Sequence, residues 1–217
     1  MSISQADIET AIRHLKTADP IMGDLIDQAG PFKIQLDRNR FGMLVRSIIS
    51  QQISTSAARS IRQRLYDLLE PDVLSAEAIA ARSDEELRSV GLSRQKISYL
   101  KDLCGRVLDR RLRLDRIGRS SDEEVIEHLI QVKGIGRWTA QMFLIFSLGR
   151  LDVFPHDDLG VRSSIHELYK LDELPTKQRS HEIAAIWKPY STVASWYCWR
   201  FIDLKKIAAT DTQSKNT

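Results

Sequence analysis

The chain has 217 residues, 42% of them hydrophobic and 28% charged, with a net charge of +3. That size supports a buried core as one domain or two small lobes, and the balance is that of a globular chain rather than a disordered or fibrous one. No stretch approaches the roughly 20 apolar residues needed to span a membrane, so no membrane contact is expected. No signal-like segment opens the sequence, so a cytoplasmic location is expected.

Glycines and prolines are few, β-branched clusters are sparse and helix formers dominate, so the chain is predicted to be all-α. Apolar periodicity predicts helices over Gln5–Leu15, Pro20–Ala29, Arg40–Gln52, Ser54–Leu69, Ala76–Ala81 and Asp84–Val90. It continues with Arg94–Arg110, Asp122–Gln131, Arg137–Ser147, Leu159–Tyr169, Gln178–Trp187 and Ser191–Leu204. Ser83 with Glu86, and Ser121 with Glu124, have capping-box spacing. Pro189 separates the last two helices. Pro31–Asp37 has an extended pattern, but no sheet is expected. The polar tail, residues 208–217, is expected to fray. Cys104 and Cys198 lie in apolar-periodic helices without metal-ligand spacing and are expected as buried, reduced thiols. Arg88 to Arg119 holds ten Lys/Arg against three Asp/Glu. Such a run is either a solvated face or a surface for an anionic partner.

Between two apolar helical runs lies Val132-Lys133-Gly134-Ile135-Gly136. Two glycines one residue apart permit a tight turn with positive φ and no Cβ in the way. Main-chain amides there and at the start of the next helix form an anion site, strengthened by the helix dipole. Lys133 and Arg137 flank it, and Thr139 follows in the first helical turn. Such contacts suit a phosphate backbone and read no base sequence. An ordinary helix corner would use glycine in the same way, so the turn alone does not decide. Further along, the pair Asp157-Asp158 stands where a helix is predicted to begin.

The string V-K-G-I-G-R-W-T-A resembles the helix–hairpin–helix motif of DNA glycosylases. F-P-H-D-D-L-G-V-R resembles the catalytic loop of the same superfamily, and Leu44 to Ser54 resembles its DNA-wedge segment. The resemblance runs from Phe41 to Ile202 and falls in the DNA-3-methyladenine glycosylase II (AlkA) branch. The chain has too few residues before Phe41 for the N-terminal β-rich domain of longer members, so the compact form is expected. The resemblance implies an all-α, two-lobed helix–hairpin–helix glycosylase fold with the active site in the cleft between lobes. One lobe would span 39–149 and hold the hairpin. The other would combine 1–38 with 150–207 and carry the acid loop.

By the same resemblance, Asp158 is the catalytic acid, and Asp157 caps the helix or supports the loop. A carboxylate stabilises the cation-like sugar formed as the base leaves, or orients the attacking water. Gln52 maps onto the intercalating position, with Gln51 beside it. Trp138 and Trp199 map onto base-facing aromatics, and Met142 lies one helical turn from Trp138. Trp187 and Trp196 read as core, and His156 is assigned no catalytic role. Lys133, Gly134, Ile135, Gly136, Arg137 and Thr139 would hold DNA. The main-chain carbonyls of Ile130, Val132 and Ile135 would surround a sodium or potassium ion; no other cofactor is expected.

Superfamily members that also cut the strand carry a Schiff-base lysine where Trp138 stands. An indole nitrogen is not a nucleophile, so a monofunctional enzyme is expected. The four-cysteine cluster of the iron–sulfur branch is missing from this sequence. The expected function is excision of alkylated purines, 3-methyladenine and 7-methylguanine, from duplex DNA in base excision repair, by a monomer. In a bacterium the enzyme would associate with the nucleoid. The alternatives are a non-catalytic helix–hairpin–helix DNA-binding module and a glycosylase for oxidised or deaminated bases.

Overall fold

The computed structural model describes residues 3–215, with side chains through residue 209. Among these residues every regular element is helical and no strand is present; the alternating segment Pro31–Asp37 forms no sheet, as expected. The chain divides into two compact units. Residues 37–148 form the hairpin unit, and residues 1–36 with 149–217 form the acid-loop unit.

The acid-loop unit opens with α1 (Gln5–Ala18), started by a Ser4/Asp7 capping box. Asp19 ends α1 and caps α2 (Pro20–Ala29). Its Oδ1 accepts from the Met22 amide at 3.2 Å. Its Oδ2 accepts from Trp187 Nε1 at 2.8 Å and from the Tyr169 hydroxyl. A carboxylate only 2% exposed is tolerable because donors surround it. Burial and the neighbouring Asp19 push the Tyr169 phenol well above its ordinary value. Nothing in the sequence pattern singles out this hub, since an Asp before a proline reads simply as a helix cap.

The hairpin unit follows with α3 (Arg40–Ser50), α4 (Thr55–Leu69), α5 (Ala76–Ala80), α6 (Asp84–Ser89) and α7 (Arg94–Leu108). It closes with α8 (Asp122–Ile130) and α9 (Arg137–Phe143), which widens into a π-helical turn over Leu144–Leu148. Leu44, Val45, Ile48, Ile49, Leu65, Leu100, Leu103 and Phe143 are fully buried. Each such side chain contributes roughly 1.5–3 kcal/mol relative to exposure. The capping boxes predicted at Ser83 and Ser121 are both formed. Much of the basic run is neutralised locally: Arg106 pairs with Asp102, Arg111 with Asp109, and Arg113 and Arg116 with Asp115.

The chain returns to the acid-loop unit at Gly149 and adds α10 (Leu159–Leu168), α11 (Lys177–Ala184) and α12 (Ser191–Lys215). Trp187, Val161, Ile165, Tyr197 and Cys198 join the α1–α2 face in one core. Trp196 packs on Phe32 with ring centroids 5.0 Å apart. Both cysteines are free and buried. Burial pushes the Cys104 thiol up to about 12 and raises that of Cys198 as well.

Several predicted boundaries shift. The helix expected to run through Gln52 ends at Ser50, because Gln51 turns extended (ψ 129°) and Gln52 adopts φ 55°. The last helix runs past Leu204 to Lys215, where a frayed tail was expected. No Gly or Pro interrupts residues 205–215, and several of them are good helix formers.

Candidate active site

The hairpin turn occupies residues 131–136, between α8 and α9. Gly134 has φ +79°, and a Cβ built on it would lie 2.1 Å from Tyr99 Cδ2. Only glycine permits both that conformation and that approach. Gly136 departs from the expectation. Its φ of −95° and ψ of 174° are ordinary extended backbone, and a Cβ there would meet nothing within 4 Å. The chain reverses at Gly134 alone, and Gly136 is already the cap of α9, where extended backbone is normal. Gly136 supplies no side-chain cap bond. First-turn helix amides have no partner within the helix, so this end suits an anion.

Helix α7 braces the turn. Asp102 Oδ2 accepts from the Lys133 amide and from Arg106 Nε, both at 2.9 Å. Burial opposes the charged form of Asp102, but these donors hold its carboxyl below the usual carboxylate value. Neither Tyr99 nor Asp102 is recognisable from sequence, because each lies more than thirty residues from its partner.

The residues expected at the DNA backbone are differently disposed. Lys133 is exposed. Arg137 is exposed but pairs with Glu123 through two bonds of 2.9 and 2.7 Å. Thr139 is only 7% exposed, because residue 139 already faces the core with Ala140. Trp138 is 45% exposed, whereas Met142 is buried. The Val132 carbonyl accepts the Ile135 amide at 3.0 Å and keeps a second lone pair. Ile130, Val132 and Ile135 offer neutral main-chain oxygens, a donor set that suits a singly charged hard cation better than a transition metal. No cluster of three or more His, Cys, Asp or Glu with metal-binding geometry is found among the described residues.

The α3–α4 turn separates the two wedge candidates. Gln51 Nε2 donates to the Gly134 carbonyl at 2.7 Å. Gln52 is exposed at the apex with positive φ, a conformation that non-glycine residues adopt at a cost.

In the acid-loop unit, residues 150–153 are tied to the start of α12. Thr192 Oγ1 donates to the Arg150 carbonyl at 2.7 Å and accepts the Val153 amide at 3.0 Å. Ser191 Oγ donates to Asp152 Oδ1 at 2.5 Å. The chain then turns, with the Asp158 amide on the Pro155 carbonyl at 2.8 Å. Asp158, not Asp157, caps α10. Its Oδ1 accepts from the Val161 amide and from Trp199 Nε1, each at 2.9 Å. A Cβ on Gly160 would lie 3.1 Å from that oxygen and 3.4 Å from Trp199 Cδ1, so the glycine leaves room for the indole. Asp157 pairs with Lys177 and lies 3.3 Å from His156 Nε2. The two neighbouring acids therefore have different tasks: Asp157 fastens the loop, and Asp158 sits between a helix start and an indole. The structure thus joins Asp158 to Trp199 and Gln51 to Gly134; Trp138 and Met142 belong to the hairpin unit.

Residues 45–189 match the family described as HhH-GPD superfamily base excision DNA repair protein. The chain is 34% identical over 204 residues to DNA-3-methyladenine glycosylase 1 of Schizosaccharomyces pombe, covering 92% of this chain and 87% of that one. The crystal structure of a DNA-3-methyladenine glycosidase from Bacillus halodurans superposes with a TM-score of 0.81 at 35% identity, covering 88% of each chain. A 3-methyladenine DNA glycosylase of S. pombe in complex with abasic DNA gives a TM-score of 0.76 at 34% identity, covering 88% of this chain and 95% of that one.

Proposed function

The chain belongs to the HhH-GPD superfamily of base excision DNA repair proteins, and from that premise we propose that it is a monofunctional DNA glycosylase releasing alkylated purines from duplex DNA. The observation that carries the reading is the Asp158 carboxylate, oriented through one oxygen by the Val161 amide and the Trp199 indole. Relatives named for 3-methyladenine excision, at 34–35% identity over most of the chain, support the substrate class. No described helix is long and apolar enough to cross a membrane.

Bases alkylated at a ring nitrogen are cationic and already weakly bonded to the sugar. As the bond to C1′ breaks, the base takes the electron pair and leaves neutral, and positive charge develops on the sugar. The Asp158 carboxylate stabilises that charge. Water then bonds to C1′, and its proton passes to Asp158 and on to solvent. Exposed Trp138 offers a π face to a cationic base, an attraction of about 0.5–2 kcal/mol.

The hairpin holds the DNA backbone through main chain at Gly134, Gly136 and Thr139, with Lys133 and Arg137 adding charge; Arg137 must exchange Glu123 for phosphate, and the Ile135 amide stays on the Val132 carbonyl inside the turn. The carbonyls of Ile130, Val132 and Ile135 would hold a sodium or potassium ion, which when bound adds positive charge beside a phosphate. With Trp138 after the turn no Schiff base forms there, and the strand stays intact.

The test is base release from methylated duplex by wild type and Asp158→Asn. Wild type is expected to free 3-methyladenine and to leave a strand that breaks only on alkali treatment; the variant is expected to bind abasic duplex but release no base. Full release by Asp158→Asn would overturn the mechanism. DNA binding without release by wild type would favour a non-catalytic module.

A further inference from the structure

We propose that Gln51 is a positioning residue that transmits the hairpin's grip on phosphate to the wedge at Gln52; this rests on the glycosylase reading above. Gln51 had been expected beside the wedge as a DNA contact. Its side chain instead points into the protein, where Nε2 donates to the Gly134 carbonyl across 83 residues of sequence. The bond is 2.7 Å long and partly buried, so water competes with it weakly.

Both ends of that bond are fixed. At the hairpin end, the Tyr99 ring occupies the space a Cβ on Gly134 would need, and Asp102 holds the amide of Lys133. At the wedge end, Lys96 of α7 donates to the Ile49 carbonyl at 2.7 Å, a favourable place for a cation at a helix C-terminus. Ser54 caps α4 immediately after the wedge. Between these anchors the chain has one residue of unusual backbone, Gln52 at φ 55°. The Gln51 amide is therefore the direct link between the turn suited to phosphate and the residue presented at the apex. Its removal leaves both ends held on α7 but frees the short segment at Gln51 and Gln52 that lies between the Ile49 anchor and the α4 cap. An intercalating group misplaced by an ångström loses much of its effect, because extrusion depends on where the wedge enters the stack.

The variant is Gln51→Leu, which keeps the bulk and deletes the donor. Base extrusion is read on a duplex with one 7-methylguanine flanked by 2-aminopurine, whose fluorescence rises on unstacking. Excision is read under single-turnover conditions on the same lesion, paired with cytosine or placed in an unpaired bulge. The expected result is unchanged affinity for abasic duplex, with extrusion and excision from the paired duplex falling about tenfold, the equivalent of one lost hydrogen bond. Excision from the bulge should fall less than threefold. Combined with Gln52→Ala, the Gln51→Leu change should add almost nothing, because its effect acts through Gln52.

Additive effects of the two changes, or equal losses on paired and bulged substrates, would overturn the proposal, as would wild-type extrusion in Gln51→Leu. Should Gln51→Leu fail to fold, Gln51→Asn tests the same point with a donor too short to reach. Wild type that extrudes the base without releasing it would count against the glycosylase reading, whereas wild-type extrusion in both Gln51 variants would count only against the link.

Discussion

The indole nitrogen of Trp199 donates to Oδ1 of Asp158 at 2.9 Å, the same oxygen that accepts the Val161 amide at 2.9 Å. One carboxylate oxygen thus serves structure twice, as a helix cap and as an acceptor for α12. Trp199 was expected as a base-facing aromatic; its N–H is turned to the acid, so any stacking role falls to its ring.

Trp199→Phe separates these roles, because it keeps an aromatic face and deletes the donor. A hydrogen bond to a charged group contributes about 1.5–3 kcal/mol, so excision under single-turnover conditions is expected to slow by about tenfold or more. Affinity for abasic duplex should stay within about twofold. An unchanged rate would show that the bond does not position the acid.

Asp158 should show the same division between stability and chemistry. Asp158→Asn keeps a capping side chain, so its unfolding free energy should match wild type within about 0.5 kcal/mol. Asp158→Ala loses the cap and should be about 1 kcal/mol less stable. Both should be inactive. Urea unfolding alongside base release distinguishes a lost cap from a lost acid.

The two hairpin glycines should respond differently to alanine. At Gly134 the positive φ and the Tyr99 ring both oppose a Cβ, and Gly134→Ala should cost about 2–4 kcal/mol. Gly136→Ala meets no neighbour and should change stability by less than about 0.5 kcal/mol. Its effect should appear only in affinity for duplex DNA, measured by fluorescence anisotropy. Equal melting losses would mean that Gly136 is needed for the turn itself.

Asp102 gives the hairpin a pH dependence. Its folded value is depressed below the ordinary 3.8, so its contribution is present above that value and fades as pH falls through the lower folded one. Between pH 5 and 2 wild type should lose more stability than Asp102→Asn. At pH 7 the variant should be about 1–2 kcal/mol less stable, as for a lost charged hydrogen bond. Parallel pH profiles in urea unfolding would remove Asp102 as the brace.

Asp19 is the corresponding hub of the other unit. Asp19→Ala strands the Trp187 N–H and the Tyr169 hydroxyl in the core, and each unsatisfied group costs about 1–3 kcal/mol. A loss of about 3–5 kcal/mol is expected in urea unfolding. A loss below about 1 kcal/mol would mean that water reaches these groups.

Helix class, capping boxes, buried cysteines and the positions of the hairpin and acid loop were all legible in the sequence by itself. Each rests on local chemistry: apolar period, cap spacing, and a glycine string of recognisable pattern. Tertiary structure alone decided what those pieces do to each other. That the capping oxygen of Asp158 also takes the Trp199 indole, that the Tyr99 ring closes on Gly134, and where the Gln51 amide points depend on partners far along the chain. Tyr99, Asp102 and Trp199 carry no local mark of their tasks, because contact across tens of residues leaves no period and no motif. Residue type and spacing therefore specified the elements, and the packing of one helix on another chose the working atoms.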